Sequence, residues 1–364
     1  MKILLLIPTL LAGGSERVIA TLANEWSLSN EVDIMLFYDF DSFYDLEETV
    51  NLMSMDINLP QRGLLRKMMI PYVEVSRYRK LKRQIRLGQY DFVLSFTNIA
   101  NIFASVYSMT HKRSNIFISE RADPYKYSRF MKFCERFFRH STGIICQNEV
   151  VKKYFETKNF TNPIRVLPNP VCFDDIPEYF NGDRRKVITT VGRLTSQKNQ
   201  ALLIKAFNEI KNNFPLYSLE IYGEGPLRNE LNNLITELNL SDRVFLMGAK
   251  KKVMKSISDT EVFVLASDYE GFPNVLIEAM ASGLPVISSD FKTGVARELV
   301  KENVNGYLFG VGDMAELVVS LRKMLNHTEE ERRAMGRKNI LVARNYEEKK
   351  VSCDWLHTIQ DICK

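Results

Sequence analysis

Short apolar runs alternate with amphipathic stretches along the chain, and this alternation constrains the fold more than any other feature of the sequence. Such runs suit buried strands, and the stretches between them have the helical period. Because parallel strands need crossover connections, which are usually helical, the pattern predicts parallel sheets with helices on both faces. The strands predicted in the first half are Ile3 to Ile7, Val32 to Phe37, Phe92 to Phe96, Ile116 to Ser119 and Ile144 to Cys146.

The alternation breaks once, in a run of turn-forming residues from Pro168-Asn169-Pro170 to Asn181-Gly182-Asp183. Since 364 residues exceed what one hydrophobic core usually covers, we predict two doubly wound α/β domains, 1–170 and 171–345. Sheets of this kind bind ligands beyond the carboxyl ends of their strands, so the cleft between the domains is the expected active site. The second-half strands are Lys186 to Val191, Leu219 to Tyr222, Val244 to Met247, Val262 to Ala266 and Val286 to Ser288.

Composition excludes several classes of protein. Hydrophobic residues make up 45% of the chain and charged residues 26%, which is typical of a soluble globular enzyme. The five cysteines are scattered and never spaced as Cys-x-x-Cys, so we expect no disulfide framework or zinc site, and a reducing cytosol fits best. The apolar start after Lys2 imitates a signal peptide, but the Gly turn and amphipathic segment that follow favour a strand-loop-helix unit. No apolar stretch is long enough to span a bilayer.

Two acids bracket a predicted helix start in the second half. Pro273 suits the first helical position, so the N–H groups of Asn274 and Val275 would face a phosphate at the positive helix end. Glu278 lies one turn further on, and Glu270, in the loop before the helix, could accept hydrogen bonds from sugar hydroxyls. The alternative is that both glutamates only favour the helix N-terminal region electrostatically.

A second segment places two cations at the end of a predicted strand. In Gly192-Arg193-Leu194-Thr195-Ser196-Gln197-Lys198-Asn199, Arg193 and Lys198 could converge on a diphosphate and neutralise a leaving group. Solvation at the surface is the alternative for both. A Gly-Glu-Gly-Pro turn at 223–226 has two readings as well, a nucleotide-binding loop or a simple helix start.

Together these motifs resemble glycosyltransferase family 4: Gly192-Arg193 through Lys198-Asn199, the Gly223-Glu224-Gly225 turn, and Glu-x7-Glu from Glu270 to Glu278. The order and spacing agree, and the resemblance begins at Gly13-Gly14 in the first loop. It implies a GT-B fold, two Rossmann-like domains facing each other across a cleft. The first would be the acceptor side, with the C-terminal helix of about 346–364 packed back onto it, and the second would bind the nucleotide sugar.

The resemblance also implies residue roles. Arg193 and Lys198 would hold the donor diphosphate, Glu270 would bind hydroxyls of the donor sugar, and Glu278 would contact the ribose. The reaction would be retaining, with the leaving phosphate taking the acceptor's proton. Further donor contacts are expected at Gly13, Gly14, Gly192, Gly223, Glu224, Gly225, Phe272, Pro273, Asn274 and Val275.

One departure from the family pattern lies after the strand that ends near Ser119. Many members carry a His there, whereas this chain has Arg121, which we interpret as a candidate contact to an acceptor or phosphate. The alternative is a structural ion pair with Glu120 or Asp123. Asp39-Phe40-Asp41 has the form of a metal-binding pair, but it follows a strand of the first half, so we expect a solvated loop, no metal and no cofactor.

A basic stretch at 62–86 carries nine Lys or Arg, with Glu74 as its single acid. Apolar residues are interleaved among these cations, which fits either a solvated helix face or contact with an anionic membrane. Nucleic acid is not expected, because no recognised binding module accompanies the charge. The cations are Arg62, Arg66, Lys67, Arg77, Arg79, Lys80, Lys82, Arg83 and Arg86, and the interleaved apolar residues are Leu64, Leu65, Met68, Met69 and Ile70.

The sequence therefore predicts a retaining glycosyltransferase that moves a hexose or N-acetylhexosamine from a UDP-sugar to a polyprenyl-diphosphate-linked glycan, in bacterial capsule, O-antigen or related synthesis. Such an enzyme would act in the cytoplasm, on the inner face of the membrane. The alternatives are an epimerase or hydrolase of nucleotide sugars with the same fold, and a non-catalytic protein that binds nucleotide sugars. A dinucleotide oxidoreductase is disfavoured, because no Gly-x-Gly-x-x-Gly follows the first strand.

Overall fold

The structure is a computed structural model that describes residues 1–11, 13–55, 64–112 and 114–364, with the backbone alone for 64–68. The chain forms two compact units. Unit 1 contains Met1–Pro170 and Glu348–Lys364, and unit 2 contains Val171–Glu347. Among the described residues, no helix is both long enough and apolar enough to cross a bilayer. All five cysteines are free thiols.

Unit 1 is built on a seven-stranded parallel sheet in the order β3-β2-β1-β4-β5-β6-β7. Helices connect most of its neighbouring strands, as the alternation of the sequence predicts. The strands are β1 (Lys2–Ile7), β2 (Glu31–Leu36), β3 (Val50–Ser54), β4 (Phe92–Phe96), β5 (Ile116–Glu120), β6 (Gly143–Cys146) and β7 (Ile164–Val166). The helices are α1 (Gly14–Ser27), α2 (Leu64–Gly88), α3 (Asn98–Thr110), α4 (Arg129–Cys134), α5 (Glu149–Thr157) and, from the end of the chain, α13 (Glu348–Cys363).

Unit 2 repeats this architecture around a six-stranded parallel sheet in the order β10-β9-β8-β11-β12-β13. Its strands are β8 (Arg185–Val191), β9 (Ser218–Tyr222), β10 (Val244–Gly248), β11 (Thr260–Leu265), β12 (Val286–Ser289) and β13 (Gly306–Phe309). Its helices are α6 (Gln200–Ile210), α7 (Arg228–Glu237), α8 (Val253–Ile257), α9 (Asn274–Ala281), α10 (Val295–Leu299), α11 (Met314–Asn326) and α12 (Glu329–Ala343). Two parallel sheets in tandem confirm the predicted α/β class.

Each face of the unit 1 sheet carries its own hydrophobic core, as expected for a sheet covered on both sides. On one face, Leu5, Leu94 and Phe117 pack with residues of α1 and α13. On the other, Leu6, Val93 and Ile118 pack with residues of α2, α3 and α5. Alternate residues of the same strands thus supply the two cores.

The C-terminal helix α13 is fixed to unit 1 by its buried Trp355. The Trp355 ring is fully buried and stacks on Phe96 at the end of β4, with ring centroids 6.0 Å apart. Its Nε1 donates a hydrogen bond to the Pro168 carbonyl at 2.9 Å. Trp26 of α1 donates to the Ser352 carbonyl of α13, also at 2.9 Å. The last helix therefore completes the core of the first unit.

The sequence predicts a helix over Val75 to Leu87 that ends on a Gly88 cap, and helix α2 differs from this prediction in two ways. It begins at Leu64 and contains Pro71. Gly88 is its last residue, and the left-handed position predicted there falls on Gln89, with φ 50°. Gly88 is explained by packing instead, because a Cβ at this position would lie 2.2 Å from the Tyr90 ring.

The basic stretch of α2 does not form one exposed surface. Arg77 is 2% exposed, packs over the Tyr38 ring at 4.5 Å and pairs with Glu74 at 2.8 Å, so its interpretation as a surface cation is wrong. The exposed cations of α2 include Arg79, Arg83 and Arg86. The predicted contributions of Arg62, Leu64, Leu65, Arg66, Lys67 and Met68 lie outside the described residues and side chains.

Replacing Trp355 with Ala should lower the free energy of unfolding by about 3–5 kcal/mol, because a fully buried aromatic ring is lost and a cavity remains. Urea unfolding followed by circular dichroism measures the change. The neighbouring exposed residue gives the control, and Asp354→Ala should unfold within about 0.5 kcal/mol of the unmodified chain. Equal midpoints of urea unfolding for W355A and D354A would show that Trp355 of α13 does not stabilise unit 1.

Candidate active site

The predicted donor residues of unit 2 follow two strands that are neighbours in the sheet. Strands β8 and β11 pair in parallel, so the loops after them begin at the same edge. The sheet order β10-β9-β8-β11-β12-β13 changes direction between these strands, which makes this edge the topological switch point. We call 192–199 the Arg193 loop and 266–273 the Glu270 loop.

Side chains and backbone connect the two loops directly. Gln197 Nε2 donates to the Tyr269 carbonyl at 2.9 Å, and the Asp268 N–H donates to the Gln197 carbonyl at 2.8 Å. Asn199 Nδ2 donates to Asp268 Oδ1 at 2.7 Å, while the Asn199 side chain also caps α6. The loops therefore form one hydrogen-bonded assembly, which holds the charged side chains in place.

An ion pair joins the two predicted catalytic residues. Lys198 Nζ lies 2.5 Å from Glu270 Oε1, and Ser267 Oγ donates to the same oxygen at 2.6 Å. Glu270 is 7% exposed, which removes it from most of the solvent. Among the described residues, Glu270 Oε2 has no hydrogen-bond partner, so this oxygen can accept from a ligand hydroxyl.

Arg193, in contrast, is exposed and makes no ion pair with any residue that the structure describes. Its backbone carbonyl accepts a hydrogen bond from Gln200 Nε2 at 3.1 Å. The structure thus brings Lys198 and Glu270 together and leaves the Arg193 guanidinium available to an anion.

The predicted nucleotide-binding turn packs against the Arg193 loop. A Cβ at Gly225 would lie 2.4 Å from the Leu194 carbonyl oxygen, and a Cβ at Gly223, whose φ is +144°, would lie 2.0 Å from the Gly192 oxygen. At Gly192 itself, a Cβ would crowd the Lys198 side chain at 3.2 Å. These glycines are therefore explained by close packing of the loops, whether or not a ligand also approaches them. The predicted donor contact Glu224 pairs with Arg228 at 2.8 Å.

The start of α9 differs from the prediction by one residue. Pro273 caps the helix instead of opening it, and the Asn274 N–H donates to the Phe272 carbonyl at 3.0 Å. The prediction that this N–H is free for a phosphate is therefore wrong in this structure. Glu278 is on the next turn and is 7% exposed, buried like Glu270. The Phe272 ring packs against Tyr346, with centroids 5.8 Å apart.

In unit 1, Gly13 and Gly14 lie at the start of α1, in the loop after β1. Tyr44 holds this loop, because its hydroxyl donates to the Gly13 carbonyl at 2.7 Å and lies 3.0 Å from the Gly13 nitrogen. A Cβ at Gly13 would clash with the Glu16 carboxylate at 2.2 Å. Asp39 and Asp41 are exposed in the loop after β2, as predicted.

Arg121 follows β5 and lies against two aromatic rings. Its guanidinium is 5.1 Å from the Phe96 ring and 5.0 Å from the Trp355 ring, and its Nη1 donates to Asn169 Oδ1 at 2.6 Å. Among the described residues, Nε and Nη2 are buried without a hydrogen-bond partner. Burial lowers the pKa of Arg121 to about 9.

Neither acid beside Arg121 supplies the structural ion pair considered as its alternative. Glu120 accepts hydrogen bonds from the Tyr127 hydroxyl at 2.5 Å and from the Ala122 N–H at 2.8 Å. Burial raises the pKa of this carboxyl. Asp123 caps the following 3-10 turn by accepting from the Tyr125 N–H. A half-buried arginine therefore remains at the carboxyl end of β5, with two guanidinium nitrogens that no described residue uses.

Two residues of interest had no signal in the sequence. Ser267 supports Glu270 and itself accepts, through its carbonyl, a hydrogen bond from Ser289 Oγ at 2.5 Å. Thr97, after β4, has φ 72°, which is rare for a β-branched residue, and its Oγ1 is buried without a partner in the described structure. Only its position after β4, next to β1 at the switch point of the first sheet, could have indicated it.

Comparison with known proteins identifies the family of the chain. The model of glycosyl transferases group 1 matches residues 174–341, and that of Glycosyltransferase Family 4 matches residues 12–174. Two similar proteins come from Campylobacter jejuni. One is N-acetylgalactosamine-N,N'-diacetylbacillosaminyl-diphospho-undecaprenol 4-alpha-N-acetylgalactosaminyltransferase, 31% identical over 369 residues and 98% of each chain. The other is a GalNAc-alpha-(1->4)-GalNAc-alpha-(1->3)-diNAcBac-PP-undecaprenol alpha-1,4-N-acetyl-D-galactosaminyltransferase, 28% identical over 100% of this chain and 99% of the relative.

A solved structure shares the whole fold. The Anabaena protein Alr3699/HepE, crystallised in complex with UDP and glucose, superposes with a TM-score of 0.80 over 99% of each chain, at 20% identity. The two tandem Rossmann-like units are therefore those of a GT-B protein. With both family models matched and a relative 31% identical over nearly its full length, the chain belongs to glycosyltransferase family 4 and is a glycosyltransferase of the GT-B fold.

Proposed function

We propose that this glycosyltransferase transfers an N-acetylhexosamine or hexose from a UDP-sugar to a polyprenyl-diphosphate-linked glycan, with retention of configuration. The names of both Campylobacter relatives describe N-acetylgalactosamine transfer in the assembly of undecaprenol-diphosphate glycans. The Anabaena structure of the same fold holds UDP. Bacterial surface-glycan synthesis, including that of capsule or O-antigen, is the process that these acceptors suggest.

The observation that carries the proposal is the Lys198–Glu270 pair at the switch point of unit 2. The 2.5 Å contact fixes the Lys198 ammonium beside a carboxylate whose second oxygen is unused by the described residues. A diphosphate that approaches Lys198 and the exposed Arg193 would place its sugar next to Glu270. Charges fixed before the ligand arrives need no reorganisation during the reaction, which is what favours a charged transition state.

The chemistry follows from this arrangement. Lys198 and Arg193 stabilise negative charge on the departing UDP, while Glu270 holds the sugar hydroxyls as positive charge develops on the ring. The acceptor hydroxyl enters on the face that the diphosphate leaves, and a leaving phosphate oxygen takes its proton. No protein base and no metal ion is assigned a part in this reaction.

Membrane contact through α2 is part of the proposal. Arg79, Arg83 and Arg86 are exposed on α2, and Tyr72 and Val75 are exposed earlier on the same helix. The spacing of these residues by three or four places them along one side of the helix. Such a face is attracted to anionic lipid, which would bring the enzyme to the cytoplasmic leaflet where lipid-linked acceptors are extended.

Replacing Lys198 with Gln should reduce kcat by about 10²- to 10³-fold, because one fixed charge at the leaving group is lost. The Gln amide can still donate to Glu270, so that the buried carboxylate keeps a partner. Lys205→Gln, an exposed change on α6, is the matched control and should keep full activity. Steady-state transfer from UDP-N-acetylgalactosamine to a short-chain polyprenyl-diphosphate glycan measures both, and an active K198Q would refute the assignment.

Replacing Arg121 with Met tests the proposed anion contact. Met can fill much of the same volume against Phe96 and Trp355, and it removes a charge whose Nε and Nη2 are buried without a hydrogen-bond partner among the described residues. The variant loses the cation–π contacts with the two rings, but it also loses the cost of burying unpartnered polar atoms. Because these two effects oppose each other, we expect the free energy of unfolding to stay within about 1 kcal/mol of that of the unmodified chain. We expect kcat/KM for the acceptor to fall by about tenfold or more, as for other charge contacts. Full activity would leave Arg121 a structural residue only.

A panel of UDP- and GDP-sugars distinguishes the proposed transfer from its alternatives. UDP-sugars should raise the melting temperature more than GDP-sugars, because a bound ligand stabilises the folded state by mass action. Product analysis by NMR should then show an α-linked sugar on the acceptor. Free sugar released without acceptor would indicate a hydrolase, an isomerised nucleotide sugar would indicate an epimerase, and binding without turnover would indicate a non-catalytic protein.

A further inference from the structure

The segment from Pro124 to His140 carries an exposed aromatic and basic surface that has no part in the site described above. It comprises a 3-10 turn (Pro124–Lys126), helix α4 and a second 3-10 turn (Glu135–His140). Phe130 is 70% exposed and Phe133 57%, and Tyr125 is 58% exposed. We call the following exposed residues the aromatic-basic surface: Tyr125, Lys126, Arg129, Phe130, Lys132, Phe133, Arg136 and Arg139.

The inner side of this segment is firmly anchored, so the outward residues are presented by a fixed backbone. Phe138 is fully buried in the core of unit 1, and Cys134 is 4% exposed. Tyr127 donates to the buried Glu120 at 2.5 Å. Exposure of the two phenylalanines therefore does not come from a loosely attached loop.

The charge of the surface has one sign. Its cations are all exposed, and the only acid between Pro124 and His140 is Glu135. Glu135 is 3% exposed and is neutralised by Lys158, while the Tyr154 hydroxyl donates to it at 2.8 Å. Nothing acidic in the segment thus opposes the approach of an anionic partner.

The segment lies where a membrane contact would serve the reaction. It follows Arg121 after only Ala122 and Asp123, beyond the carboxyl end of β5, which is the edge of the sheet where ligands of such folds bind. Its Phe138 belongs to the same core as Leu81 and Ile85 of α2, so both elements cover one face of the sheet. The cationic side of α2 and the aromatic-basic surface therefore belong to the same layer of unit 1.

We propose that the aromatic-basic surface inserts Phe130 and Phe133 into the interfacial region of an anionic membrane, with the surrounding Lys and Arg on the lipid headgroups. Exposed phenylalanines within a wholly cationic surface match both parts of a bilayer interface, its acyl boundary and its negative headgroups. A protein partner would instead need a contiguous anionic surface with a pocket for each ring. No feature of the described residues favours such a partner over a membrane. The inference that this surface brings the enzyme to a lipid-linked acceptor rests on the proposed function. The inference that the surface binds anionic lipid does not.

Sedimentation of the full chain with vesicles tests the proposal without donor or acceptor. The chain should bind vesicles of phosphatidylethanolamine and phosphatidylglycerol and should not bind neutral phosphatidylcholine vesicles. The double variant F130S/F133S should bind the anionic vesicles about tenfold more weakly or worse, because two exposed aromatic rings no longer enter the interface. Failure of the unmodified chain to bind anionic vesicles would overturn the proposal even if the transferase activity is present.

Matched controls separate the surface from general effects of composition. L216S/L341S removes two exposed leucines of unit 2, at 79% and 64% exposure, and should bind like the unmodified chain. The charge variant K126Q/R129Q/K132Q should bind anionic vesicles about tenfold more weakly or worse, whereas K205Q/K255Q/K338Q, with the same net charge, should bind like the unmodified chain.

Two results would contradict the assignment to a membrane. Equal vesicle binding by F130S/F133S and the unmodified chain would exclude insertion of these rings. A fall in molecular mass by light scattering, seen with F130S/F133S and without any lipid, would assign the surface to contact between copies of the chain. If the serine variant fails to fold, as judged by circular dichroism, the charge variant and its control decide the question alone.

Discussion

The parallel pairing of β8 with β11 is the constraint on which the candidate site of this enzyme depends. Because the two strands are neighbours with the same direction, the loops after them must begin side by side, although Lys198 and Glu270 are 72 residues apart in the chain. The hydrogen bonds between the Arg193 loop and the Glu270 loop then fix the distance between Lys198 and Glu270. Glycines at 192, 223 and 225 allow a third loop to pack against this assembly, so sheet topology, close packing and charge placement have a common origin.

The sequence predicted the strands that are continuous apolar runs, and it did so within a residue or two at each end. It missed β3, β7 and β13 for a physical reason. Val50–Ser54 lies at the sheet edge with exposed residues, and the exposed Arg165 interrupts Ile164–Val166. Gly306–Phe309 opens with a glycine, a residue that is depleted in strands, so none of the three begins as a continuous apolar run. The positive φ of Thr97 left no trace in the residue type, because such a conformation is imposed by the tertiary structure.

In the candidate site, too, the sequence motifs identify residues, but only the structure shows how those residues contact each other. Motif order was enough to name Arg193, Lys198, Glu270 and Glu278, yet it could not show that Lys198 and Glu270 pair with each other, or that Ser267 supports the carboxylate. The charge pattern predicts a surface cation at Arg77, whereas its position on the inner side of α2 buries it. The exposed phenylalanines of α4 are likewise a property of the folded chain, since the same residues could have formed core.

The proposed reaction requires the carboxyl ends of β8 and β11 to hold the diphosphate of a UDP-sugar. A crystal structure of the chain with UDP tests this most directly, through the distance from Lys198 Nζ to the phosphate oxygens. We expect a hydrogen-bonded contact of about 2.7–2.9 Å, with Arg193 turned towards the same diphosphate. A UDP molecule bound elsewhere, or a Lys198 that remains bound to Glu270 alone while the nucleotide occupies the site, would contradict it.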